Sequence, residues 1–131
     1  MQFGKKNGTI ARIWRCVTLA ANSEQYLEYL NRTVIPACRA AEGNEGLLVM
    51  KDCQGELTCF LLVSFWASDE ALAKFTGTDA EIVDPAPEER SLLIAFESTA
   101  VHYKVVRALN ESPIDLQESG ACGEFPLAGL D

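Results

Sequence analysis

Three side chains that lie far apart in this chain of 131 residues are the best suited to chemistry. Arg12 could hold the oxygen of a phenolate or enolate, because a guanidinium keeps its positive charge. His102, the single histidine, titrates near neutrality and could take a proton from an acidic phenol or ketone. Trp66 could stack on a flat aromatic molecule. The plain alternatives are an ion pair with Glu or Asp across a dimer interface for Arg12, a structural hydrogen bond for His102 and a packing role at the dimer for Trp66.

A nearly unbroken apolar run from Leu57 to Trp66 dominates the sequence. Such a run is typical of a strand that is buried on both faces. Ser68 follows as a good helix N-cap, and Asp69 and Glu70 suit the positive end of a helix dipole. The pattern therefore predicts a central strand that ends at Trp66 and a helix that runs from about Ser68 to a stop at Gly77.

The flanking segments complete a βαββαβ order. Apolar residues recur at helical spacing after Asn22 and Ser23, and Pro36 predicts a kink or break in that helix. The hairpin turn is expected at residues 52–55. This order predicts an α+β fold of the ferredoxin-like type with an antiparallel sheet. The remaining predicted strands are Thr9–Ala20, Leu47–Lys51 and Thr99–Ala108.

Alternation along the strands brings the candidate residues onto one face of the sheet. We expect that face to point away from the helices and to enclose a cavity, although a register error of one residue would reverse the assignment. The alternative place for the cavity is between the sheet and the helices. The expected catalytic residues are His102, Arg12 and Trp66, and the expected substrate-binding residues are Trp14, Phe60, Leu62 and Ser64.

An aromatic face of this size would be unusual on a monomer in water. The simplest cover is a second copy of the chain related by a two-fold axis. We therefore expect a homodimer that encloses a site for a small hydrophobic or aromatic ligand.

The net charge of −8 and the lack of a basic cluster argue against a nucleic-acid-binding protein. No apolar stretch is long enough to suggest a membrane span, and we expect a cytoplasmic protein. Residues 1–8 are expected to be a flexible leader, 9–108 the folded domain and 109–131 an acidic tail. The tail is expected to add little to the core unless Phe125 and Leu127 pack across onto a partner subunit. All five cysteines are expected to be reduced, with no metal site.

Five short motifs together resemble the antibiotic biosynthesis monooxygenase domain family over about residues 9–107. The resemblance implies the dimeric α+β barrel fold, and it implies either cofactor-free oxygenation of polyketide-type aromatics or haem degradation. The motifs are Ile10-Ala11-Arg12-Ile13-Trp14-Arg15, Gly43-Asn44-Glu45-Gly46, Phe65-Trp66-Ala67-Ser68, Phe75-Thr76-Gly77-Thr78-Asp79 and His102-Tyr103.

The haem-degrading branch of that family uses an Asn on the first strand, a Trp at the end of the third and an axial His on the next helix. Trp66 matches the second position, but Trp14 and Thr76 stand at or near the other two. We therefore expect a cofactor-independent monooxygenase, with a non-catalytic dimeric binding domain as the alternative and a haem protein ranked last.

Overall fold

The computed structural model describes residues 9–77 and 79–109, and its elements follow the ferredoxin-like order. The expectations for residues 1–8 and for the tail beyond 109 lie outside the described residues. The strands are β1 (Ile10–Leu19), β2 (Asn44–Gln54), β3 (Leu57–Trp66), β4 (Ala95–Phe96) and β5 (Val101–Lys104), and the helices are α1 (Ser23–Tyr29), α2 (Ile35–Ala40), α3 (Asp69–Thr76) and α4 (Pro87–Leu92).

The sheet is antiparallel throughout, which confirms the predicted α+β, ferredoxin-like class. Strand β3 lies between β2 and β1, while β4 and β5 both pair with the other edge of β1. The pairing of β1 with β3 is continuous from Ile10 opposite Trp66 to Leu19 opposite Leu57. The last strand is shorter than the predicted Thr99–Ala108, since only Val101–Lys104 pairs with β1.

The hairpin between β2 and β3 turns later than predicted. Strand β2 continues to Gln54, and the turn is formed by residues 55 and 56. Gly55 has a φ of 64°, a left-handed conformation that two-residue hairpin turns require and that glycine adopts without strain.

Pro36 is accommodated by a local change of helix type. Between α1 and α2, residues Leu30–Val34 form a π-helical turn, and the Ile35 N–H donates to the carbonyl of Leu30, five residues back. Pro36 has no N–H to donate and lies at the start of α2, directly after this wider turn. The predicted interruption therefore takes the form of a wide turn within a continuous helical segment.

Helix α3 begins and ends where the sequence indicated. The Ser68 hydroxyl accepts from the Ala71 N–H at 3.1 Å, which is the expected N-cap bond. Gly77 follows the last turn with a φ of 94°, a value that favours glycine. The helix thus starts three residues after Trp66 and holds the end of β3 in place.

The face of the sheet that the helices cover is the reverse of the predicted one. Trp14, Phe60 and Leu62 pack with Tyr26, Tyr29 and Leu30 of the first helical segment. Trp66 packs with Ile10, Cys38 of α2 and Leu72 of α3. The prediction that these aromatic residues line the face away from the helices is therefore wrong, because the helices cover that set and leave the alternate set on the far side.

The far side of the sheet carries its own apolar cluster. Its buried members are Ala11, Val63 and Phe65, and four partly buried residues surround them: Ile13, Leu48, Leu61 and Val105. Met50, Val101 and Tyr103 are exposed large side chains. Met50 lies opposite Leu61, and Val101 and Tyr103 lie opposite Ile13 and Ala11, so all three share this face. We call this surface the open face.

Cys16, Cys38 and Cys59 are free thiols, as expected. Cys53 is disulfide-bonded, so the expectation of five reduced cysteines is wrong at that position; Cys122 lies outside the described residues. Disulfides are uncommon in the cytoplasm, so this bond does not support the predicted cytoplasmic location, which stays a prediction. Within the part of the chain that the structure describes, no helix is long and apolar enough to cross a membrane.

A chain of buried polar groups ties α1 and α4 to β1. The Tyr26 hydroxyl donates to Glu89 Oε2 at 2.8 Å, and the Cys16 thiol donates to the Tyr26 oxygen at 3.3 Å. Burial raises the pKa of the Cys16 thiol to about 12 and also raises the pKa of Tyr26. Burial likewise raises the pKa of Glu89, although the bond from Tyr26 opposes this shift. The folded protein therefore favours the protonated carboxyl group of Glu89.

We predict that Glu89→Gln makes stability less sensitive to pH. Below the ordinary pKa of 4.5, Glu89 carries its proton in both the folded and unfolded chains. As the pH rises, the unfolded chain ionises first, so the free energy of unfolding falls until the pH exceeds the raised pKa of the folded state. The Glu89→Gln substitution removes this loss and keeps an oxygen for Tyr26. Denaturant unfolding from pH 4 to 8 should show Glu89→Gln gaining stability relative to the wild type as the pH rises.

The matched control is Glu28→Gln on the exposed side of α1. It should not reproduce the gain. A difference between Glu89→Gln and the wild type that is constant across this pH range would contradict a buried, proton-binding Glu89.

Candidate functional site

A row of polar side chains crosses three strands beneath the helices. Arg12 on β1 lies opposite Ser64 on β3 and opposite His102 on β5. Side chains of directly opposed residues project from the same face of a sheet with their Cβ atoms about 5 Å apart. The structure thus brings Arg12, Ser64 and His102 together as predicted, but on the face that packs against the helices.

Arg12 is half-buried and is held by a backbone carbonyl. Its Nε–H donates to the Ala80 oxygen at 3.2 Å. Among the described residues, no carboxylate lies within ion-pair distance of its guanidinium. Burial lowers the pKa of Arg12, which is the direction expected for a cation removed from water without a counterion. Arg12 therefore has no ion-pair partner within the described part of its own chain, and the alternative of an ion pair across an interface between two copies stays a prediction.

His102 presents a buried nitrogen that lacks a partner. Its Nε2 atom is inaccessible to solvent and makes no hydrogen bond in the described part of the chain. Burial lowers the pKa of His102, and the neighbouring positive charge of Arg12 lowers it further. Glu81 and Asp69 act in the opposite direction. The imidazole is consequently neutral at neutral pH and has a lone pair available to accept a proton.

Trp66 is fully buried and is tied to the same row. Its indole Nε1–H donates to Ser64 Oγ at 2.9 Å. The ring of Phe75 lies over it, with the centroids 4.8 Å apart. Phe75 is itself partly exposed, so this ring separates Trp66 from solvent.

The other predicted substrate-binding residues belong to the core. Trp14, Phe60 and Leu62 are at most 8% exposed and pack against α1 and its π-helical extension. The Trp14 indole also donates to the Glu97 carbonyl at 2.6 Å. These three residues therefore support the sheet behind the polar row, and the predicted cavity wall of Trp14, Phe60, Leu62 and Trp66 is instead packed protein interior.

A groove of about 300 Å³ opens between α2 and α3. Phe75 and Ala71 form part of its wall, and Ala71 also packs against the cluster that contains Trp66. Its full lining is Ala37, Ala40, Ala41, Glu42, Ala71, Lys74 and Phe75. The groove therefore leads from solvent to the far side of the ring that covers Trp66.

Sequence reasoning missed the contribution of the segment after α3. In the segment between Gly77 and Pro87, Ala80 supplies the oxygen that holds Arg12, and Glu81 acts electrostatically on His102. A backbone carbonyl carries no residue-type signal, so no pattern in the sequence could have identified it. No group of three or more His, Cys, Asp or Glu residues suited to a metal ion occurs in the described ranges.

Solved structures with the same fold come from several organisms. No family model matches the sequence, and no curated protein matches it. A candidate antibiotic biosynthesis monooxygenase from Nitrosomonas europaea is 12% identical, with a TM-score of 0.56 over 79% of this chain and 96% of the other. A similar candidate from Caulobacter crescentus is 13% identical, with a TM-score of 0.59 over 77% and 92%. SnoaB, a cofactor-independent oxygenase from Streptomyces nogalater, is 11% identical, with a TM-score of 0.53 over 79% and 99%.

We predict that Ser64→Ala destabilises the protein by about 1–3 kcal/mol, because it leaves the buried indole N–H of Trp66 without an acceptor. The double variant Ser64→Ala/Trp66→Phe removes both partners, so its cost should be about 1 kcal/mol less than the sum of the single costs. Denaturant unfolding measures all three values. Ser91→Ala, an exposed serine on α4, is the control and should change stability by less than about 0.5 kcal/mol. Strict additivity of the two single variants would mean that the bond contributes nothing.

Proposed function

We propose that this chain, which has the fold of the antibiotic biosynthesis monooxygenase structures, is a cofactor-independent monooxygenase for a small, electron-rich aromatic substrate of polyketide type. One observation carries the proposal: the unpartnered, buried Nε2 of His102 lies beside an Arg12 guanidinium that has no described carboxylate partner. A neutral base next to a fixed cation suits the removal of a proton from a weakly acidic phenol or ketone and the retention of the resulting anion.

The two groups have complementary roles. His102 accepts the proton at Nε2, and Arg12 stabilises the negative oxygen of the substrate with its remaining N–H donors. Burial and, secondly, the same positive charge lower the pKa of His102, so the imidazole is neutral before the substrate binds. Because the site is half-buried, the attraction between the anion and Arg12 is stronger than it would be in water.

The oxidation needs only the substrate anion and dioxygen. The carbanionic position of the ionised aromatic donates electrons to O₂, and a C–O bond forms to give a peroxide. The O–O bond then breaks, the second C–H proton is lost, and the former methylene becomes a carbonyl. The methylene gives up four electrons; one oxygen atom enters the product, and the other leaves as water. The protein contributes binding, deprotonation and exclusion of bulk water.

Trp66 has a conditional role in this proposal. A planar substrate that enters the groove between α2 and α3 reaches the indole only if Phe75 moves off it. Ser64 orients the indole through its hydrogen bond, and the packed Trp14, Phe60 and Leu62 hold the polar row in position. The haem alternative gains no support here, since the Thr76 hydroxyl is bonded to the Leu72 carbonyl of its own helix.

We predict that the protein increases oxygen uptake by 1,8-dihydroxyanthrone, a phenolic methylene compound, with one O₂ consumed per quinone formed. His102→Ala should lower the rate about 100-fold or more, because the general base is lost. Arg12→Ala should weaken the binding of the anion about 10- to 100-fold. Arg39→Ala, an exposed arginine on α2, is the control and should match the wild type. An oxygen electrode and quinone absorbance measure both quantities.

The pH profile provides a second readout. Activity should fall at acidic pH as the imidazole is protonated. The midpoint of this fall should lie below pH 6.5, because the pKa of His102 is lowered from that value. In Arg12→Ala the midpoint should move upward, since the repelling charge is gone. Binding of the anthrone without oxygen uptake would point to the non-catalytic binding domain, and equal rates for wild type and His102→Ala would refute the role of His102.

We also infer that two copies of the chain associate through their open faces. Met50, Val101 and Tyr103 are exposed there, and they border the cluster of Ala11, Val63 and Phe65. A further depression of about 310 Å³ on this side of the sheet is lined in part by Val17, Met50 and Leu61. A contiguous apolar surface on a two-sided sheet supports a self-complementary, two-fold contact.

We predict a solution mass of twice 14.3 kDa by light scattering at micromolar concentration. The double variant Met50→Lys/Val101→Lys should shift the mass to that of the monomer, because it buries like charges in the contact. Val106→Lys, at a residue 88% exposed just beyond β5, is the control and should stay dimeric. A wild-type protein that is monomeric at these concentrations would rule out this association.

A further inference from the structure

The segment of residues 79–83 is fixed against the chain that leads into β5. The Val83 N–H donates to the Ser98 carbonyl at 3.0 Å, and the Ala100 N–H donates to the Glu81 carbonyl at 2.7 Å. Ile82 and Thr99 form an isolated antiparallel bridge between these two bonds. Residues 81–83 are therefore held against residues 98–100, which lead into β5 and His102.

The turn that precedes this bridge is closed by a side chain. Asp79 Oδ1 accepts from the Glu81 N–H at 3.2 Å, so the carboxylate spans the peptide units on both sides of Ala80. An aspartate bonded to the backbone two residues later is a common way to fix a turn. The Ala80 carbonyl lies inside this turn, and its oxygen accepts from Arg12 Nε.

The orientation of a guanidinium decides what it can bind. Its donors lie in one plane, and two of them can meet an anion together only if that plane is correctly set. An arginine side chain has many rotamers, and an ordered partner for Nε–H removes most of this freedom. The bond to Ala80 fixes Nε–H and leaves the terminal nitrogens as the donors for a ligand.

We propose that Asp79 is a positioning residue for Arg12. Its carboxylate closes the turn that aims the Ala80 carbonyl at Nε–H, and the turn thereby sets the plane in which the terminal nitrogens of Arg12 meet an anionic oxygen. Asp79 contacts neither the ligand nor Arg12 and acts through the backbone alone. The inference rests on the proposed function only in the identity of the ligand, an aromatic oxyanion.

Three substitutions separate the geometry of Asp79 from its charge. Asp79→Asn keeps the acceptor oxygen at the same reach and removes the charge. Asp79→Glu keeps the charge but places the oxygens one methylene further away. Asp79→Ala removes both. If the turn matters, the Asn variant resembles the wild type, and the Glu and Ala variants share the defect.

The first measurement needs no ligand. Arginine Nε–H signals in a ¹H–¹⁵N correlation spectrum report hydrogen exchange with water. Arg12 Nε–H should exchange more slowly than that of the exposed Arg39 in the wild type and in Asp79→Asn. In Asp79→Ala and Asp79→Glu, its exchange should be faster by roughly tenfold, as expected for a lost hydrogen bond. Equal exchange of Arg12 in all four proteins would overturn the proposal.

The second measurement uses the pair 4-nitrophenolate and 4-nitroanisole, which differ in charge but little in shape. Isothermal titration at pH 8 should show Asp79→Ala and Asp79→Glu losing affinity for the phenolate by roughly tenfold while affinity for the ether is unchanged. Asp79→Asn should retain the preference. A loss in Asp79→Asn as large as in Asp79→Ala would assign the effect to charge and contradict the positioning role.

Arg12→Ala distinguishes the binding of the anion by Arg12 from the positioning role of Asp79. If it abolishes the preference for the phenolate and the Asp79 variants do not, Arg12 binds the anion and the positioning role fails. If Arg12→Ala leaves the preference intact, the proposed site fails, and the Arg12 exchange data still decide whether Asp79 orders the side chain. Thermal unfolding of each variant shows whether the fold is retained, and because Asp79 is exposed, we expect each variant to fold.

Discussion

The burial of β3 on both faces is the constraint on which the rest of the structure depends. This strand is hydrogen-bonded along both edges, and its side chains from Thr58 onward are buried or nearly so on either side. The helices α1 to α4 cover only one face of the sheet, so the open face retains an apolar surface. The same division sends Arg12, Ser64 and His102 inward, beneath protein, where their electrostatic interactions are stronger than on an exposed surface.

Much of the fold could be predicted from local patterns. The limits of β3, the Ser68 cap and the stop at Gly77 follow from residue types whose physical roles are nearly independent of context. Alternation also grouped Arg12 and His102 correctly. It did not reveal which group faces the helices, because both faces of β3 are apolar. The handedness of the connections fixes the side of the sheet on which the helices lie. Which alternate set of strand side chains points to that side depends on strand pairings that no local pattern records.

Two clusters of buried polar side chains on the covered face differ in their hydrogen bonding. Thr58 Oγ1, also on this face, is a further buried polar atom without a partner in the described residues. At the end near α1 and α4, Cys16, Tyr26 and Glu89 satisfy one another within the core. Near Arg12, the His102 nitrogen is buried without a partner in the described chain. Since most buried polar atoms in proteins are hydrogen-bonded, a satisfied cluster needs no further explanation, whereas an unsatisfied base beside a cation calls for one. Neither cluster is visible as a sequence motif.

The π-helical turn at Leu30–Val34 divides one continuous helical segment into two parts, whose buried side chains face different clusters of the core. A π turn accommodates one residue more than an α-helical turn does, and one residue corresponds to about 100° of rotation around the axis. Tyr26 in the first part faces the cluster of Phe60, while Cys38 in the second part faces the cluster of Trp66. A homologue shortened by one residue here would form a regular α-helix and turn one of these two side chains toward solvent. The number of residues in this segment therefore fixes the rotation of α2 relative to α1 around the helix axis. A residue-by-residue comparison of side chains alone would not detect this requirement.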